Sequence, residues 1–195
     1  MPPVRPAAAH PHPQLSAGGL AGLRERHGPL LLTPLDAGTL DGRVLAVLER
    51  AEAQDRSARQ VNGLVVTDLT AAWVHDARSA PAEPFSLATP RGARKRQTLH
   101  PGLSVRERSF GSGEVITLRR GAVTTLERTA YDLFFLPDAD TEWHQDAAGT
   151  VQHLLRQHTD PAAAWRHLCH RIRDNPQRPG SRLARQRLEE FPEQR

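Results

Sequence analysis

The chain has 195 residues, 26 basic against 22 acidic side chains, a formal net charge of +4 and an apolar fraction of 38%. That fraction lies below the roughly 45–50% of ordinary globular domains, and with 16 prolines it implies that part of the chain is not packed. A single cysteine, Cys169, excludes an intramolecular disulfide. The opening segment lacks a leader's apolar stretch, and no run approaches the ~20 apolar residues of a membrane span, so a cytoplasmic protein with no membrane partner is expected.

In chain order, residues 1–19 read as a disordered Pro/Ala-rich lead, with His10 and His12 in solvent. Residues 20–60 read as a helical arm or a degenerate winged helix. Within them "LDGRVLAVLERAEAQ" puts Val44, Leu45, Leu48 and Ala51 on one face and Arg43, Glu49 and Arg50 away from it. Residues 61–136 read as an α+β domain. "PFSLAT", "GLSVRERSF" and "GEVITLRRGAVT" are separated by Pro and Gly signals, which predicts a small, mostly antiparallel sheet of about three to four strands in a meander, flanked by helices. In "LSVRE", Leu103 and Val105 alternate with Ser104 and Arg106, as in a strand with one wet face. "GSG" at Gly111–Gly113 reads as a hairpin turn and not as a phosphate loop. Residues 137–195 form a helical C-terminal region.

The stretch "AVTTLERTAYDLFFL", Ala122 to Leu136, carries many polar groups that could do chemistry, but helix physics accounts for them first. Thr124 with Glu127 matches a capping box, and Thr125 is an equally good cap with Glu127 near the positive helix end. Either role for Glu127 predicts that Glu127→Ala costs roughly 0.5–2 kcal/mol of stability. Leu126, Ala130, Leu133 and Phe134 form a core-facing stripe, and Arg128 can pair with Asp132 four residues on.

"VVTDLTAAWVHDA" (Val65–Ala77) and "GLSVRERSFGSGEVITLRRGAVTTLERTAYDL" (Gly102–Leu133) together resemble the C-terminal domain of the AbiEi family. Members of that family are antitoxins of type IV toxin–antitoxin systems. The resemblance covers about residues 61–136 and rests on Thr70, Ala71, Ala72 and Trp73, then Thr124, Thr125, Glu127, Arg128, Thr129 and Asp132. It implies a non-enzymatic protein without cofactor that neutralises a nucleotidyltransferase-type toxin by direct binding, with transcriptional autoregulation through DNA as an added role. Asp76 stands where the family commonly has glycine after the tryptophan helix. The family's N-terminal winged helix-turn-helix is not recognisable in residues 1–60.

Other clusters carry weaker signals. His153, His158, His167, Cys169 and His170 lack metal-ligand spacing, and Cys169 has no nucleophile elbow around it. A magnesium nuclease would need an aspartate and a Glu-x-Lys pair, yet Lys95, inside "RKRQ", is the only lysine. Basic residues gather at Arg91, Arg94, Lys95 and Arg96, and again at Arg171, Arg173, Arg178, Arg182, Arg185 and Arg187. The first group reads as a loop. In the second, Leu183, Ala184, Leu188 and Phe191 make the apolar stripe of a helix whose arginines form its solvated face. Arg91, Arg94, Lys95, Arg96, Arg182 and Arg185 are the candidates for binding an acidic toxin surface or nucleic acid. Trp73, Trp143 and Trp165 are candidate apolar anchors, with Trp73 expected in the core. The alternative to an antitoxin is a nucleic-acid-binding regulator with no toxin partner.

Overall fold

The computed structural model describes residues 38–54, 63–90, 101–119, 121–137 and 147–191. The Pro/Ala-rich lead with His10 and His12, the basic cluster at Arg91, Arg94, Lys95 and Arg96, and Trp143 lie outside the described residues. Among those residues the fold is α+β, with six helices and one open sheet of five strands.

Helix α1, Leu40–Gln54, buries Val44, Val47 and Ala51 as its periodicity requires, while Leu45 and Leu48 are half-buried. Arg43 departs from expectation. It is only 3% exposed, donates to the Trp73 carbonyl at 2.9 Å and pairs with Asp76 at 3.0 Å. A long guanidinium can cross a helix flank and satisfy carbonyls at another helix's end, which a hydrophobicity pattern does not register.

The strands are β1 (Val65–Val66), β2 (Phe85–Pro90), β3 (Leu103–Arg108), β4 (Val115–Thr117) and β5 (Ala122–Thr124), in spatial order β3-β2-β1-β5-β4. Two expectations are corrected here. The sheet has five strands in place of three to four, and it is mixed: β1 runs antiparallel to β2 but parallel to β5, and β2 runs parallel to β3. The two-residue β1 sits between Ala88 of β2 and Ala122 of β5, so the consecutive strands β3 and β4 fall at opposite edges of the sheet and no meander forms. For the same reason Gly111–Gly113 is a turn but not a hairpin turn. Glu114 N–H donates to the Gly111 carbonyl at 3.3 Å and Gly113 has φ +77°, yet β3 and β4 are opposite edges of the sheet. The true hairpin joins β4 to β5, closed by Leu118 N–H to Gly121 O at 2.8 Å. A Cβ on Gly121 would collide with Leu48 Cδ1 and approach Val44 Cγ1 to 2.9 Å, so any larger residue there requires the α1 side chains to repack.

Helix α2, Asp68–Val74, ends in a Schellman arrangement: Ala77 N–H donates to Ala72 O at 2.8 Å and Asp76 N–H to Trp73 O at 3.0 Å. The motif requires a left-handed residue, and Asp76 takes it with φ +61°. Asp76 thus adopts the conformation that glycine takes most readily, and it pairs with Arg43. Trp73 is 1% exposed, as expected of a core residue.

Helix α3, Leu126–Leu133, is followed by α4 (Ala148–Arg156), α5 (Pro161–Arg173) and α6 (Ser181–Glu190). Of the two candidate caps of α3, Thr125 is the one used, its side chain accepting from Arg128 N–H at 3.3 Å. Glu127 does not close a capping box; its carboxylate lies 3.5 Å from His167 Nδ1, both groups largely solvated. Two apolar cores result. One joins α1, the sheet and the Ala71, Trp73 and Val74 side of α2; the other joins Ala72 of α2 to α3, α4, α5 and α6. Trp165 stacks on Phe191 at 4.9 Å within the second, and half-buried Cys169 packs against it.

The last helix corrects a further reading. Arg187 is not on a solvated face but 2% exposed, donating to the carbonyls of Phe134 at 3.0 Å and Leu136 at 2.6 Å. It closes the open carbonyls past the end of α3, a role set by a segment 50 residues away in sequence. No helix among the described residues is long and apolar enough to cross a membrane.

Candidate functional site

Thr70, Thr124, Arg128, Thr129 and Asp132 are buried and tie helices to the sheet through separate hydrogen bonds and ion pairs. Thr70 Oγ1 accepts from Ser86 N–H at 2.8 Å, pinning α2 to β2. The Thr124 and Thr129 hydroxyls meet at 2.7 Å, tying β5 to α3. Asp132, with its side chain fully enclosed, receives Arg128 Nε at 2.8 Å, Arg108 at 2.9 Å and Arg178 at 2.8 Å. Arg108 also grips Asp68 with both terminal nitrogens at 2.8 and 2.7 Å. Asp68 holds φ +53° at the first turn of α2, a conformation aspartate tolerates better than most residues.

The period of a strand decides which side of the sheet this network occupies. Leu103 and Val105 turn toward the α1 core, so Arg106 and Arg108 project from the opposite face. There they meet α3, α5 and the loop before α6 around a polar cavity of about 660 Å³. Glu114, from the turn before β4, bridges Arg128 and Arg171 across the cavity, and one of its carboxylate oxygens also accepts from Gly111 N–H at 2.6 Å. The Tyr131 ring lies between the Arg171 guanidinium at 4.1 Å and that of Arg178 at 4.6 Å, and Arg178 also covers Phe135 at 4.0 Å. Asn175 donates to the Tyr131 hydroxyl at 3.1 Å. Stacking on aromatic faces orients guanidinium planes without neutralising their charge.

The electrostatics follow from this geometry. Burial pushes the Asp132 carboxyl up, but Arg108, Arg128 and Arg178 outweigh it and hold the group below the usual carboxylate range. Burial also raises Glu114, and the Gly111 N–H with Arg128 and Arg171 reverses that and lowers it. At Asp68 burial wins: its carboxyl is raised despite Arg108, with the Asp132 charge adding to the rise. Arg108 and Arg128 lose some basicity to burial and regain more from their carboxylate partners, so both are raised. Beneath the network, His75 Nε2 lies 2.6 Å from the Thr124 carbonyl oxygen, and burial lowers the imidazole below its ordinary value.

Four arginines, Arg108, Arg128, Arg171 and Arg178, are thus interleaved with three carboxylates, Asp68, Asp132 and Glu114. Arg106, exposed at the cavity wall, has no hydrogen-bond or ion-pair partner among the described residues.

Of the residues expected to bind a partner, Arg182 is exposed on α6, and Arg185 is half-buried with one nitrogen donating to the Arg173 carbonyl at 2.8 Å. Neither lines the cavity. Arg108, Glu114, Arg171, Arg178 and Tyr131, which do, come from five separate elements and loops. The signal that could have pointed to them is the pairing of the "RERS" strand end with the Arg171–Arg178 cluster. Among the described residues no group of three or more His, Cys, Asp or Glu side chains could hold a metal ion; His170 instead lies 2.6 Å from Asp174.

Comparison of the chain with family models and with curated proteins finds no match.

Proposed function

We propose that this protein is an AbiEi-like antitoxin that neutralises a nucleotidyltransferase-type toxin by binding it directly, without catalysis of its own. The observation that carries the reading is that Thr70, Thr124, Arg128, Thr129 and Asp132 are each buried and bonded within the protein, pinning α2 to β2, β5 to α3 and α3 to the arginine cluster. Residues of two separate segments each tie one element to another, as expected of a signature that specifies a fold. Their polar groups are engaged inside the protein, which favours a scaffold role over catalysis. Binding then falls to groups left on the surface, with Arg106 and Arg182 as exposed cations at the rim and an acidic toxin face as their complement. The mechanism is occlusion of the toxin's nucleotide or substrate cleft.

The reading is tested by titrating the full chain with the purified product of the neighbouring reading frame by calorimetry. A one-to-one complex that weakens with added salt and in an Arg106→Ala, Arg182→Ala double variant supports it. No complex at any ionic strength contradicts it. Binding of duplex DNA, with an affinity that falls steeply with salt and no affinity for the neighbour, would instead identify the chain as a nucleic-acid-binding regulator.

A further inference from the structure

We propose that the arginine-lined cavity is a binding site for a phosphate ester, and that Glu114 occupies it in the resting protein as an internal stand-in for the phosphate. The site goes beyond toxin binding and stands whether or not a toxin partner exists. Three observations carry it. The Glu114 carboxylate joins Arg128 of α3 to Arg171 of α5, one oxygen to each guanidinium, which is how a phosphoryl group bridges two arginines. Arg171 and Arg178 each hold their carboxylate through a single terminal nitrogen, leaving further donors on both, and Arg106 adds an exposed cation with no hydrogen-bond or ion-pair partner among the described residues. Stacking against Tyr131 and Phe135 keeps the planes of Arg171 and Arg178 in place when the carboxylate leaves.

The size of the cavity, about 660 Å³, suits a ligand of nucleotide dimensions. A terminal phosphate offers three acceptor oxygens to donors that Glu114 serves with two, and a phosphodiester matches the carboxylate's two. Glu114 sits in the short turn 111–114, between the ends of two strands that do not pair with each other. Displaced, its carboxylate passes into solvent and the phosphate takes over both guanidinium groups.

The test uses the full chain and calorimetry with three probes: 5′-AMP, adenosine, and a single-stranded oligonucleotide carrying only internal phosphodiesters. The expected result is binding of a phosphate-bearing probe and not of adenosine. Arg171→Ala should weaken it at least about tenfold, the loss expected for a charge-assisted hydrogen bond. Glu114→Gln, which keeps the side chain's shape and removes its charge, should tighten it. Binding of 5′-AMP assigns the site to a terminal phosphate, and binding of the oligonucleotide alone assigns it to a nucleic-acid backbone; both support phosphate recognition here. Equal binding of adenosine and 5′-AMP, no binding of either phosphate probe, or weaker binding by Glu114→Gln overturns it. Should Arg171→Ala melt early, Arg106→Ala at the exposed wall replaces it and should weaken the phosphate probe while leaving the melting temperature unchanged.

Discussion

Asp132 and Glu127 stand five residues apart on one helix and illustrate how differently two carboxylates can be employed. Asp132 is enclosed and receives three guanidinium groups. Removing its charge leaves buried cations without an anion, so Asp132→Asn should cost about 3–5 kcal/mol in urea unfolding. Glu127, half-exposed near a solvated histidine, should lose no more than about 0.5 kcal/mol on replacement by alanine. A larger loss would restore the capping box that the sequence suggested. His75 supplies a pH dependence. Its folded-state pKa is depressed, so the unfolded chain takes up the proton first. The stability it contributes is therefore complete above about pH 6.5 and is lost as pH falls from there through its folded value. Asp132 and Glu114, also depressed, act in the same direction below about pH 4. Asp68, raised, acts oppositely and favours the folded state at acid pH. His75→Gln keeps a donor for the Thr124 carbonyl without titrating. Melting temperature measured between about pH 7 and pH 5 should fall less steeply in that variant than in the parent.

Each element tests a different local rule. Thr125→Ala removes the cap of α3 and should cost about 0.5–2 kcal/mol, whereas Gly121→Ala forces the α1 side chains beneath the β4–β5 hairpin to repack and should lower the melting temperature by several degrees in thermal unfolding. Elements governed by local rules were legible in the sequence. The face of α1 showed in its apolar spacing, α3 in its cap candidates and stripe, and the (i, i+4) pair of Arg128 and Asp132 in its spacing. Elements whose character is set by distant neighbours were not. Two residues, Val65 and Val66, have no period to detect, and they become a strand only because β2 and β5 flank them. That insertion creates the parallel β1–β5 pairing, beside the parallel pairing of β2 with β3. Arg43 and Arg187 look like solvated arginines in a helical pattern; what draws them inward is a set of open carbonyls at the ends of α2 and α3. The cavity was hidden for the same reason, since its arginines are contributed by β3, α3, α5 and the loop before α6.

At the scale of the whole molecule, the two apolar cores meet on α2, and the ion-pair network lies over the sheet face that α1 does not cover. Carboxylates and arginines there hold α2, β3 and α3 together and bring α5 and the α6 approach onto them. Exposed cations such as Arg106 and Arg182 are the groups to which the proposed antitoxin reading assigns partner binding. Growth rescue tests that claim most directly: the chain is co-expressed with the product of the neighbouring reading frame and colony recovery is followed. The account predicts that the neighbour arrests growth alone, that the chain restores it, and that the Arg106→Ala, Arg182→Ala double variant restores it less. A neighbour that is harmless alone, or toxic and unrescued by the intact chain, would contradict it.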